Sequence, residues 1–166
     1  MTMVTARQTT NTQSLPKPVF VTAGGVLWRR RGGEVEVCLV ASPDRKRCAL
    51  PRGAVHEDER LSDCAVRSVR EITGYVGKPG RQLARAASEE GEVACLFLLQ
   101  CNEGSRYEST ARKITALWLP LTRAMDSLGT TAERTVLRRA AEALAEHVDP
   151  ALPFDAPMPA AAAAVR

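Results

Sequence analysis

The stretch Leu50–Val76, "LPRGAVHEDERLSDCAVRSVREITGYV", constrains this chain more than any other. It runs from a Pro-Arg-Gly turn signal through the consecutive acids Glu57, Asp58 and Glu59 into a helical segment that stops at a glycine. A helix is expected over 62–73, with Ser62 as its N-cap and Gly74 as its C′ residue. At about 100° per residue, Ala65, Val66, Val69 and Thr73 share one face, and Asp63, Arg67, Arg70 and Glu71 share the other. Ile72 falls at the edge of the apolar face, with Ser68 beside it one turn earlier. Arg67 and Glu71 are spaced i,i+4, a surface ion pair worth about 0.2–0.5 kcal/mol. On spacing alone this is an ordinary amphipathic helix behind an acidic loop.

The segments around it alternate between strand and helix patterns. "FVTAGGVLWRR" reads as a strand, "RGG" as a turn, and "EVEVCLVAS" as a strand that enters a core. "RQLARAAS" and "EVACLFLLQC" flank a Glu-Glu-Gly turn as a hairpin, and "KITALWLPL" is a further strand. "LTRAMDSL" is a short helix. "TAERTVLRRAAEALAEHV" is a longer one, with Val136, Leu137, Ala140, Ala141, Leu144 and Val148 on one face. Residues 1–17 read as a disordered arm and residues 149–166 as a Pro/Ala-rich tail, leaving one folded domain over 18–148. The order of elements gives an α/β or α+β class: a mixed sheet with helices on its sides or ends.

Composition narrows the function classes. A net charge of +4 mildly favours anionic small ligands, or is simply a solvated basic surface. Aromatic residues are 4% of the chain, too few for a platform that stacks single-stranded nucleic acid, so a nucleic-acid partner is not expected. No apolar run approaches a membrane span and no secretory leader is evident. The five cysteines, Cys38, Cys48, Cys64, Cys95 and Cys101, show no C-x-x-C spacing, and neither His56 nor His147 stands at ligand spacing to them. Packed, reduced thiols in a cytoplasmic protein are the simplest account.

Taken as one string, Gly53, five residues, Glu59, seven residues, Arg67, then Val69, Glu71, Gly74 and Tyr75, the central stretch resembles the Nudix box, G-x5-E-x7-R-E-U-x-E-E-x-G-U, of the MutT-like Nudix hydrolase superfamily, where U is a bulky apolar residue. The neighbourhood agrees. "TAGGVLWR" resembles the opening strand, "LPRG" the Leu-Pro-Lys-Gly found in members acting on dinucleoside polyphosphates or similar long phosphate chains, and Trp118 and Pro120 the late strand. The resemblance runs from about Val21 to Val148. It implies an α/β/α sandwich, a mixed sheet with the box helix and a C-terminal helix on its faces.

The resemblance also implies a chemistry: metal-dependent hydrolysis of a diphosphate linkage, with Mg²⁺ or Mn²⁺ held by helix carboxylates. Carried over residue by residue, Gly53, Glu59, Arg67 and Glu71 are the catalytic set, Glu71 the metal ligand and Arg52 the phosphate-binding residue. Ser68 stands where the first helical glutamate belongs, and Ile72 where the second of the paired glutamates belongs. Serine is a weak neutral ligand and isoleucine none, so metal binding is expected to be weakened. Asp63 and Glu59 are the acids nearest to substituting, and Glu89, Glu90 and Glu92 lie in a later turn. The glycines Gly24 and Gly25 permit either close ligand approach or a bulge. Cys64 is read as packing and not as a nucleophile. Arg45, Lys46 and Arg47 are read as a solvated loop. Three functions remain open: a pyrophosphohydrolase of nucleoside polyphosphates or other diphosphate-linked compounds with weak or lost activity, a non-catalytic module that binds a phosphorylated ligand or a protein, or a catalytically silent structural paralogue whose box persists because its helix caps and packs well. Oligomeric state is left open.

Overall fold

The structure, a computed structural model, describes residues 19–44, 46–106 and 114–146. The arm and tail expected over 1–17 and 149–166, together with Arg45, His147 and Val148, lie outside the described residues. In chain order the elements are β1 (Phe20–Arg31), β2 (Glu34–Ala41), β3 (Cys48–Ala49), β4 (Arg52–Ala54), α1 (Leu61–Thr73), β5 (Tyr75–Ala87), β6 (Glu92–Arg106), β7 (Thr115–Pro120), α2 (Leu121–Ser127) and α3 (Thr131–Glu146).

The strands form one seven-stranded sheet in the order β3-β2-β1-β6-β5, with β4 added to β1 and β7 to β2. The β1–β2 hairpin closes through Gly32 and Gly33, whose φ values of 58° and 81° suit the two-residue turn that matches strand twist. β1 pairs in parallel with β6 from Phe20–Glu92 to Trp28–Gln100, so the sheet is mixed. β5 begins at Tyr75, six residues before the strand expected from Arg81, and crosses Pro79 with register shifts on both sides. As the outer strand it tolerates a proline that a central strand would not.

Alternation along the strands builds two cores. Cys95, Phe97 and Leu99 of β6 face a cluster shared with Cys64, Ala65 and Val69 of α1. Leu96 and Leu98 face the opposite cluster, shared with Ala124 of α2 and Val136, Leu137, Ala140, Ala143 and Leu144 of α3. The result is the expected α/β/α sandwich. Leu27, Leu39, Leu50, Leu99 and Leu137 are among the fully buried side chains, each contributing about 1.5–3 kcal/mol relative to exposure. On α3 the buried stripe takes Ala143 where Ala141 was expected, and it extends back to Glu133.

Helix α1 begins at Leu61, and its N-cap is Arg60, not Ser62. Arg60 has an extended backbone (φ −69°, ψ 145°) and makes no side-chain cap bond, while its carbonyl accepts the Cys64 N–H at 2.9 Å. Ser62 thereby falls inside the first turn. Gly74 ends the helix with φ 81°, as expected, and returns its N–H to the Arg70 carbonyl at 2.8 Å.

The Gly24–Gly25 pair makes room for protein backbone. A methyl group on Gly24 would lie 2.0 Å from the Pro51 carbonyl oxygen, and one on Gly25 would lie 1.9 Å from that of Phe97. The Gly25 N–H donates to Pro51 O at 3.1 Å, which seats the "LPRG" segment on β1.

Candidate active site

The loop Ala54–Arg60 and helix α1 meet at Arg67. Its guanidinium grips Glu59 with two parallel bonds, Nε to Oε1 at 2.7 Å and Nη2 to Oε2 at 2.9 Å. Nη2 also donates to the Ala54 carbonyl at 2.8 Å, and Nη1 to Glu71 Oε2 at 3.1 Å. Such bidentate, charge-assisted pairs fix geometry as well as adding energy. Glu59 is further held by its own turn. Its Oε2 accepts the His56 N–H at 2.9 Å, and its N–H donates to the His56 carbonyl at 3.2 Å. Asp58 supports that turn in the left-handed region, φ 59°, which aspartate tolerates better than most residues. The Arg67 bonds, and then the His56 N–H, bring the Glu59 carboxyl down to about 2. The same bonds hold the Arg67 guanidinium charged well beyond its usual range.

Ser68 does not lie on the open side of the helix. It is 1% exposed and joins Cys64, Ala65, Val69 and Thr73 in the buried stripe. Its Oγ stands 3.5 Å from Cys64 Sγ, and a methyl group on Gly53 would come within 2.6 Å of it. Gly53 is therefore a point where the box loop packs directly on the box helix. Cys64 aims its thiol at the Gly53 and Ala54 carbonyls, at 3.6 and 3.4 Å, and burial pushes that thiol up. It packs, as expected. Ile72 is half-buried, whereas Glu71 and Asp63 are exposed.

Arg52 is engaged by carboxylates. Nε and Nη2 donate to Glu92 at 2.6 and 3.2 Å, and Nη1 lies 3.7 Å from Glu133. Glu92 also accepts the Thr22 hydroxyl at 2.8 Å, and the Arg52 bonds hold its carboxyl below the usual range. Glu133, from α3, accepts the Leu50 N–H at 2.9 Å. Thr22 and Glu133 were not singled out in the sequence. Thr130-x-x-Glu133 has the spacing of a capping box, but nothing in that spacing says that the carboxylate would also reach Leu50.

A Mg²⁺ ion asks for several oxygen ligands in near-octahedral array. Here both Glu59 oxygens are taken by Arg67 and His56, one Glu71 oxygen is taken by Arg67, and Ser68 is turned into the loop. Among the described residues no group of three or more His, Cys, Asp or Glu side chains is placed to hold a metal ion. The donor set described does not fit such a centre.

Comparison with known proteins gives a concordant result. The NUDIX domain model matches residues 19–140. An 8-oxo-(d)GTP phosphatase of Mycolicibacterium smegmatis is 30% identical over 128 residues, covering 70% of this chain and 40% of that protein. The chain thus spans about two fifths of that relative's length. Among solved structures, a binary complex of a C. elegans Ap4A hydrolase superposes with a TM-score of 0.65 at 18% identity, over 77% of this chain and 99% of that one. A NUDIX hydrolase from Nitrosomonas europaea does so with a TM-score of 0.62 at 16% identity, over 78% and 74%. At those identities the two structures speak for the fold. With the box intervals intact, the sheet sandwiched by α1 and α3, and a family model matched over most of its length, the chain belongs to the NUDIX domain family.

Proposed function

We propose that the domain over 18–148 takes a nucleoside polyphosphate or a comparable diphosphate-linked compound, and that phosphoanhydride hydrolysis is weak or lost because Ser68 and Ile72 replace box carboxylates. The supporting observation is the pair of side chains at these positions, Ser68 buried against Gly53 and Cys64 and Ile72 half-buried, with Glu71 the one helical box carboxylate. The family supports the reaction class, and the names of the relatives, an 8-oxo-(d)GTP phosphatase and an Ap4A hydrolase, supply the substrates to try first. Mg²⁺ or Mn²⁺ is the metal such relatives would lead one to add, with weakened binding here. Of the acids nearest to substituting, Glu59 is paired with Arg67 and Asp63 stands exposed in the first helical turn. Five cysteines that all stand as thiols support a reducing, cytoplasmic location.

Binding without turnover is the second reading, favoured by the way Arg67 engages both remaining box carboxylates, Glu59 and Glu71. The test is purified protein with Mg²⁺ or Mn²⁺ against 8-oxo-dGTP, diadenosine tetraphosphate, nucleoside triphosphates and diphosphate sugars. Turnover close to background is expected. Metal-dependent turnover that disappears in Glu71→Gln would eliminate the binding-only reading. The Arg67–Glu71 pair is exposed and worth only about 0.2–0.5 kcal/mol, so that substitution leaves the fold intact. In Ile72→Glu, which puts a carboxylate at the half-buried box position without disturbing the Gly53–Ser68 contact, Mn²⁺ affinity is expected to rise. No rise would place the fault outside Ile72.

A further inference from the structure

We infer that Glu133 is a positioning residue for the loop that opens the box, and that helix α3 thereby sets where Gly53 meets helix α1. The segment Leu50–Gly53 is fixed at three successive points. The Leu50 N–H donates to Glu133 Oε1 at 2.9 Å, across 83 positions of sequence. The Pro51 carbonyl is seated on β1, accepting the Gly25 N–H at 3.1 Å where Gly24 leaves no room for a side chain. The Arg52 guanidinium is held between Glu92 of β6 and Glu133 of α3. The next residue, Gly53, is the one packed beneath Ser68.

A helix cap alone would not require this arrangement. Thr130 and Glu133 already satisfy each other: the Thr130 hydroxyl donates to Glu133 Oε2 at 3.0 Å, and the Glu133 N–H donates to Thr130 Oγ1 at 3.2 Å. A capping-box glutamate of that kind can sit at the surface. Glu133 is instead 8% exposed, a burial that a carboxylate tolerates only with full pairing. Its second oxygen is the part the cap does not use, and that oxygen serves Leu50 and faces Arg52. Arg52 accordingly acts through the loop it anchors, with two carboxylates around it, and not as an open phosphate fork.

The inference for ligand binding rests on reading this loop as part of a phosphate-ligand site, so the experiment has two arms that fail separately. The full chain is made as Glu133→Gln, Glu133→Ala and, as control, Ala143→Gly, which weakens α3 about 15 Å further along the helix. The first arm is amide exchange at Leu50, read by NMR relative to the core amides. Exchange is expected to quicken about tenfold in Glu133→Ala and less in Glu133→Gln, which keeps an acceptor, with no selective change in the control. Equal exchange at Leu50 in all three overturns the inference. Should Glu133→Ala fail to fold, Glu133→Gln against the control decides it. The second arm is affinity for ATP and diadenosine tetraphosphate. A loss confined to the Glu133 variants supports the inference, and an equal loss in the control overturns it. If the unaltered chain binds neither probe, the proposed function fails while the Leu50 arm still decides the role of Glu133.

Discussion

The contact between Gly53 and Ser68 gives a sharp test of how the box is assembled. A methyl group on Gly53 would fall 2.6 Å from Ser68 Oγ and 3.1 Å from Ser68 Cβ. Gly53 is not among the glycines with positive φ, so alanine is conformationally acceptable there and the cost of Gly53→Ala is steric. Ser68 can rotate its hydroxyl away only by leaving Cys64 Sγ at 3.5 Å, and a buried polar group left unsatisfied costs about 1–3 kcal/mol. If the backbone moves instead, overpacking costs about the same, 1–3 kcal/mol. Against either stands about 0.4–1 kcal/mol gained by restricting the unfolded chain. The net expectation is about 1–2 kcal/mol of destabilisation, or a fall in Tm of about 2–8 °C for a chain of this size. In a Ser68→Ala background only the 3.1 Å contact with Cβ remains, and the added methyl should then be nearly neutral, a coupling of about 1 kcal/mol between the two sites. Urea unfolding of both single variants and the double variant, compared at equal m-value, reads this directly. A neutral Gly53→Ala, or a double variant in which the two effects simply add, would show that the helix does not rest on the loop at this point.

Two further outcomes are expected. The Glu59 carboxyl sits at about 2 in the folded chain against an ordinary 4.5, so its contribution to stability is complete above about 4.5 and disappears as pH falls towards 2. Glu59→Gln should flatten the pH dependence of urea unfolding in that window, and an unchanged slope would contradict the Arg67 pairing. Burial pushes the Cys38 thiol up to about 12, so alkylation of the native protein at pH 8 should modify half-buried Cys101 well before Cys38, with mass spectrometry as the readout. Equal rates would mean that Cys38 is not enclosed.

The fold was legible in the sequence where period and punctuation agree. "EVACLFLLQC" could be assigned as a strand because its apolar residues serve two cores in alternation, and the helix ending at Gly74 because a left-handed glycine stops it. The errors fall where a local rule met a distant partner. Ser62 looked like a cap, but the Arg60 carbonyl accepts the first helical bond, and the nearby carboxylate of Glu59 is drawn to Arg67. The strand β5 began early because an outer strand can include Pro79. At the site, the spacing of Gly53, Glu59, Arg67 and Glu71 was enough to bring Glu59, Arg67 and Glu71 into one ion-pair cluster. The surroundings of Arg52 were not readable, because they come from Thr22, Glu92 and Glu133, which no local period connects. The inward turn of Ser68 was likewise invisible to a helical wheel that placed it beside Ile72 at the edge of the apolar face.

The bond from Leu50 to Glu133 also has a meaning in time. A ribosome releases this chain from its N-terminus, and every box residue, Gly53 to Tyr75, is exposed before any of α3. Until Thr131 onward has been made, the Leu50 N–H has no Glu133 to meet, and the loop lacks one of its three anchors. Contacts that span so much chain carry a loop-closure cost that local ones avoid, and they form late. A truncated product that stops short of α3 would hold the entire box in its sequence and still be missing the carboxylate that seats it.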